Sequence, residues 1–204
     1  PGQENYQDFK FKNKNSSHLI KLGMDYYIND KNTLSAYTNQ SFTDGSGNGL
    51  TTVFYENAIT NRNNNQLFNS NSSNKNQTYD VVFKHDFEKK DENLELQLNY
   101  SHTENGENTH YDETISNPIF NFERTNIVKG TTDYFQFNAD YVNPISESTK
   151  IELGVETRIQ NSGNQFNDIN PTFSSANNAF NFGRNIYSAY ANLGKQIGKW
   201  SGQL

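Results

Sequence analysis

Cysteine is absent from the 204 residues, which excludes a disulfide framework, a thiolate metal site and a cysteine nucleophile. No run of hydrophobic residues exceeds three, so no segment can cross a membrane as a helix. Lysine and arginine form no run and the formal net charge is −6, so the basic footprint of a nucleic-acid partner is missing. Hydrophobic residues make up only 32% and the mean hydropathy is −0.96, too little for a thick apolar core. Asparagine fills the gap, with 34 residues. Yet 12 Tyr and 15 Phe are present, and disordered chains are poor in aromatics. The chain is therefore expected to fold by burying apolar surface in thin stripes.

Those stripes have period two, the signature of a strand whose faces meet different surroundings. In Lys150–Ile159, Ile151, Leu153, Val155 and Ile159 fall on one side, and Lys150, Glu152, Glu156 and Arg158 on the other. Asn93–His102 sends Leu94, Leu96, Leu98 and Tyr100 one way, and Glu95, Gln97 and Asn99 the other. Thr78–Phe87 separates Tyr79, Val81, Phe83 and Phe87 from Asp80, Lys84 and Asp86, and Thr132–Val142 separates Phe135, Phe137, Ala139 and Tyr141 from Gln136, Asn138 and Asp140. His18–Ile28, Thr33–Phe42 and Asn185–Gly194 alternate less strictly. Each run is about ten residues, the length a tilted strand needs to cross hydrocarbon.

The connections alternate in kind. Short turns are expected at Asn29–Asn32, Glu88–Asp91, Asn143–Ser146 and Lys195–Lys199, all rich in turn-forming residues. Long polar loops are expected near 44–77, 103–130 and 161–184. Short turns on one side and long connections on the other suit a membrane barrel, whereas soluble sandwiches have turns every 8–12 residues and no long side. The competing reading is a soluble antiparallel sheet with one wet face, which predicts the same alternation. Aromatics at both strand ends, Tyr26, Phe87, Tyr141 and Trp200 beside the short turns and Phe42, Tyr79, Tyr100, Phe135 and Tyr187 opposite, favour the membrane. The expected fold is all-β: an antiparallel up-and-down meander of seven or eight strands over residues 1–204, forming part of a transmembrane outer-membrane β-barrel.

The hairpin Leu22-Gly23-Met24-Asp25-Tyr26-Tyr27-Ile28-Asn29-Asp30-Lys31-Asn32-Thr33-Leu34 resembles a recurring element of the outer-membrane β-barrel family related to TonB-dependent receptors of Bacteroidetes-type bacteria. The Asn-rich connections are similar in style along the whole chain. The resemblance implies a bacterial outer-membrane location, a barrel of about 22 strands and a separate plug domain, which this chain does not contain. The partners it implies are outer-membrane lipid, the remaining strands of the barrel, the plug, an energy-coupling protein and a surface lipoprotein. Opening at Pro1-Gly2-Gln3-Glu4 without a leader and stopping at Ser201-Gly202-Gln203-Leu204, the chain is expected to be an internal barrel section. Solute uptake is the leading function. A non-transport barrel for adhesion, secretion or surface assembly is the alternative, and a soluble carbohydrate-binding module is the reading from another class.

Candidate site residues follow from facing. Lys21, Asp25, Asp80, Lys84, Glu95, Asp140, Glu152, Glu156 and Arg158 are expected to face the lumen; Leu94, Leu96, Leu98, Phe135, Phe137, Ile151, Leu153 and Val155 are expected to face lipid. Gly23, Gly154 and Gly194 fall on the lumen side, where they would permit curvature or close approach of another backbone. His85 and His102 fall on the lipid side near strand ends. No metal site is expected, since the four histidines show no ligand spacing; Glu107, His110, Asp112 and Glu113, with Glu104 before them, form the one loop run that could hold a cation, through oxygens. No cofactor and no catalytic constellation are expected, so the protein is read as a non-enzyme.

Overall fold

Eight strands, each paired antiparallel with the next in chain order, form one sheet in the computed structural model, which describes residues 4–56 and 61–203. They are β1 (Glu4–Asn29), β2 (Asn32–Glu56), β3 (Asn61–Asp86), β4 (Asn93–Ile115), β5 (Phe120–Ser146), β6 (Thr149–Ile169), β7 (Ala176–Ile197) and β8 (Trp200–Gln203). The meander is the expected one. The margins along β1 and along most of β7 carry no strand partner among the described residues, because β8 covers only Gly194–Ile197 of β7.

Strand length departs from expectation. β1 to β7 run 21–27 residues rather than about ten. The segments expected as long loops are paired ladder: β2 and β3 pair from Asn32↔His85 to Glu56↔Asn61, and β4 and β5 from Asn93↔Val142 to Ile115↔Phe120. The connections on that side shrink to positions 57–60, which lie outside the described residues together with Pro1, Gly2, Gln3 and Leu204, to Ser116–Ile119, and to 170–175. The physical reason is that alternation records a contrast between two surroundings, while backbone pairing needs none. Where both faces are wet the contrast vanishes and the ladder continues. Small polar side chains then bond across strands, as in Ser17–Thr43 (3.0 Å), Thr132–Ser162 (3.1 Å) and Gln77–Gln40 (2.7 Å).

The short turns follow local chemistry. Between β1 and β2, Asn29 Oδ1 accepts from the Lys31 backbone N–H (3.0 Å) and from Asn32 Nδ2 (2.8 Å), so the side chain stands in for the missing backbone acceptor. Gly198 takes a φ of 63° in the β7–β8 turn, a backbone region that favours glycine. The turn expected at Asn143–Ser146 lies instead at Glu147–Ser148, with β5 running on through Pro144. Pro144 lies past Val142, the last β5 residue that β4 pairs, and beside a bulge at Pro144/Ser146, the kind of ladder end where proline is tolerated.

No hydrophobic side chain is buried among the described residues. Large apolar groups lie open instead: Leu22 (67% exposed), Met24 (64%) and Val155 (50%). A soluble sheet with one wet face would cover its other face with a second layer, whereas among the described residues this apolar face lies open.

Candidate functional surfaces

The register turns sequence alternation into continuous rows. Tyr26, Leu34, Phe83, Leu96, Ala139, Val155 and Ala189 are successive cross-strand partners and form one row across β1 to β7. The row on one side contains Met24, Ala36, Val81, Leu98 and Phe137, and beyond it lies Leu22, Thr38, Tyr79, Tyr100, Phe135 and Ile159. On the other side come His85, Leu94, Tyr141 and Leu153, then Asn143, Ile151 and Leu193. Five rows make a band about 27 Å long along the strand, or roughly 20 Å vertically at a barrel tilt near 40°. That is close to the lipid-facing height of outer-membrane barrels. All eight residues expected to face lipid lie on this face, and all nine expected to face the lumen lie on the opposite one.

Aromatic side chains close the band at both ends. Beside the short turns, the Phe87 ring meets His85 edge-on at 4.4 Å and Tyr141 at 5.9 Å, and the Tyr141 hydroxyl donates to Glu92. The His85 Nδ1 lies 2.7 Å from Asn32 Oδ1, so this ring is satisfied at the margin rather than stranded in hydrocarbon. At the far end, Tyr79 and Tyr100 stack at 6.3 Å.

The opposite face is largely polar at the same depth. Its ion pairs run along strands: Lys84–Asp86 (3.1 Å), Lys150–Glu152 (2.5 Å) and Arg158–Glu156 link residues two apart. Carboxylates outnumber cations there. Asp25, Asp80 and Asp140 take hydroxyl or amide donors from Ser35 and Tyr37, Asn99, and Tyr190 instead. The glycines are explained by neither backbone approach nor curvature alone. The Tyr37 ring lies over Gly23, where an added Cβ would sit 2.6 Å from Cδ1, and Tyr190 lies over Gly154. Each ring then reaches an aspartate, Tyr37 to Asp25 at 2.7 Å and Tyr190 to Asp140 at 2.6 Å. Gly194 is covered by the Lys150 stem.

Just beyond the band, on the apolar-face side, His102 lies between two carboxylates: Nδ1 is 2.7 Å from Asp133 and Nε2 is 3.1 Å from Glu104. These hydrogen bonds, Asp133 first, push the imidazole above its ordinary value. The Asp133 carboxyl is held low by the Tyr100 hydroxyl and then by His102, and that of Glu104 by His102 and then Lys75.

Farther out, the polar face turns aromatic. Phe9 stacks on Phe11 (5.0 Å) and Phe68 (6.1 Å), while Phe120, Phe122 and Phe173 meet at 5.4–5.9 Å. Between them, Arg124 sits over the Tyr111 ring at 4.5 Å and 3.0 Å from Glu113, which is only 8% exposed. Sequence reading missed this strip. The turn dipeptide Asn117-Pro118 was the available signal: a turn there pairs Tyr111 with Arg124.

The expected cation run is divided by the same pairing. Glu107 and Glu113 project to the polar face, where Glu107 accepts from Ser70 and Thr109 and Glu113 accepts from Gln66. His110 and Asp112 project to the other face and meet Glu123 of β5, Asp112's direct partner. Four acids and imidazoles close in sequence cannot share one site on a strand, because alternate residues point opposite ways.

A family model described as "Outer membrane protein beta-barrel family" matches residues 85–204, more than half of the chain. No curated protein matches. Among solved structures, the RagAB peptide importer in its closed-closed state is 8% identical, with a TM-score of 0.44 over 83% of this chain and 30% of that one. The ferric yersiniabactin uptake receptor FyuA from Yersinia pestis is 8% identical, with a TM-score of 0.32 over 97% and 45%. The ferric-catecholate import receptor Fiu from E. coli K12, in its closed form, is 9% identical, with a TM-score of 0.28 over 93% and 48%. The chain thus spans less than half the length of each.

Proposed function

The chain belongs to the outer membrane protein beta-barrel family and lies in the outer membrane, and from that premise we propose that it forms part of the wall of a solute-uptake barrel of the kind related to TonB-dependent receptors. The apolar rows face lipid and the charged face lines the lumen. The short turns face the periplasm, and the strand extensions rise outside the cell, following the rule that barrels keep short turns inside. The margins along β1 and β7 meet further strands of the barrel, since an unpaired N–H or C=O costs several kcal/mol in hydrocarbon. A plug seated against the charged face, an energy-coupling protein and a surface lipoprotein complete the proposal. No chemistry on a substrate is assigned, and the protein is read as a transporter rather than an enzyme.

The observation that carries this reading is the charged face running across the sheet at the depth of the apolar band. A barrel that served only as an anchor would need no excess of carboxylates there. The outer strip of rings around Arg124 and Glu113 supplies a surface where a solute would first be held. The test is a deletion strain assayed for accumulation of labelled sugars, short peptides and iron chelates. Uptake of at least one class should fall, and should be restored by the wild-type gene but not by Glu156→Arg. Unchanged uptake of all three classes, with the protein present and folded in the parent strain, would overturn the proposal in favour of adhesion or surface assembly, which the length of the external ribbons also suits.

A further inference from the structure

On the apolar-face side of the outer β4–β5 ribbon, His110 and Asp112 of β4 stand opposite Thr125 and Glu123 of β5. A His Nε2 or Nδ1 and one carboxylate oxygen each from Asp112 and Glu123 lie within 4.8 Å of one another. We propose that these three side chains bind a divalent transition-metal cation of the zinc class, clamping β4 to β5 outside the membrane.

Three observations converge. The first is geometry: a metal about 2.0–2.2 Å from each donor needs donor separations of about 3–4 Å. His110 Nε2 and Asp112 Oδ1 are already 3.4 Å apart, and their side chains are 42% and 48% exposed, free to adjust by the remainder. The second is orientation. His110 Nδ1 lies 3.0 Å from the Thr125 hydroxyl, which fixes the ring and leaves Nε2 directed at the carboxylates, as a hydrogen bond to the other ring nitrogen orients a metal-binding histidine. The third is charge. Asp112 and Glu123 are direct cross-strand partners, and like charges so placed repel. The nearby Arg124 side chain is on the other face with Glu113, and Leu67 and Asn69 flank the pair from β3. A cation would remove the repulsion. One imidazole with two carboxylates selects a borderline divalent ion over calcium or magnesium, and water completes the shell.

The experiment uses the full-length protein in detergent, without a histidine tag, titrated with Zn²⁺ by calorimetry. One saturable site is expected. His110→Ala and Glu123→Gln should each weaken it at least tenfold, whereas Glu107→Gln, on the opposite face, should leave it unchanged. Zn²⁺ should also slow amide exchange at Asn108–Ile115 and Phe120–Ile127 in the wild type and not in His110→Ala. All these side chains are solvent-reachable, and a heat-modifiability gel confirms that each variant is folded. Absence of saturable binding in the wild type, or equal affinity in wild type and His110→Ala, overturns the proposal.

Discussion

Replacing Leu96 by Arg tests the membrane register most directly. Leu96 lies in the middle of the five apolar rows, between Phe83 and Ala139, so the guanidinium would enter the centre of the band with no polar partner in its row. Cost depends on depth: about 2–4 kcal/mol for Arg at the midplane and about 0–1 near the interface. Ile159 lies two rows away in the outermost row, roughly 10 Å from the midplane at 3.4 Å per residue and a tilt near 40°. Ile159→Arg should therefore cost under about 1 kcal/mol. Gln97→Arg, adjacent in sequence but on the polar face and next to Glu95, should cost less than Leu96→Arg by at least about 2 kcal/mol. Equilibrium folding titrations of the full protein into lipid vesicles would measure all three. If Leu96→Arg and Gln97→Arg cost the same, the two faces do not meet different surroundings. If Leu96→Arg and Ile159→Arg do, the midplane is misplaced.

A Cβ on Gly154 would collide with Cε1 of Tyr190, so Gly154→Ala should destabilise by about 1–3 kcal/mol through overpacking and loss of the Tyr190–Asp140 bond. Adding Tyr190→Ala should remove most of that penalty, and additive costs in the double-mutant cycle would refute the ring-over-glycine packing. Cysteines placed singly at Leu94, Leu96 and Leu98 should react with lipid-soluble reagents and those at Glu95 and Gln97 with water-soluble ones. Cysteines at Asn71 and Ser72, in the extension, should both be water-labelled, and alternation there would contradict the band limits. The His102 cluster sets a pH response outside the band. The raised imidazole contributes stability that is full below its ordinary value near 6.5 and is lost as pH rises through the higher folded value. The lowered Asp133 and Glu104 contribute above their ordinary values and lose that contribution on acidification. His102→Ala should flatten the loss above about pH 6.5 in stability measured against pH, and an unchanged profile would exclude this linkage.

Much of the spanning region was legible in the sequence because a bilayer imposes two surroundings on one strand, and period two records the difference. Lys150–Ile159 and Asn93–His102 announce their two faces, and three of the four short turns lie within a residue or two of where their Asn, Asp and Gly residues place them. The Asn143–Ser146 turn was displaced because Pro144 reads as a turn former, yet sits past the end of β4 and beside a bulge, where a strand can accommodate it.

Outside the band, tertiary structure decided what composition could not. The backbone ladder carries no side-chain code, so Asn- and Ser-rich strands with two wet faces look like loops until their partners are known. Register there depends on the length of a distant turn. It is the four-residue connection Ser116–Ile119 that sets Asp112 opposite Glu123 and Tyr111 opposite Arg124. Likewise, alternation alone could put Gly154 on the inner face, but only the pairing of β6 with β7 brings the Tyr190 ring over it and on to Asp140. The sequence by itself therefore determined which residues share a face of each strand and which of the two faces is apolar, since that is a property of each strand alone. Which side chains meet one another was left to the pairing, since contacts between strands depend on turn lengths and backbone hydrogen bonds that no single strand encodes.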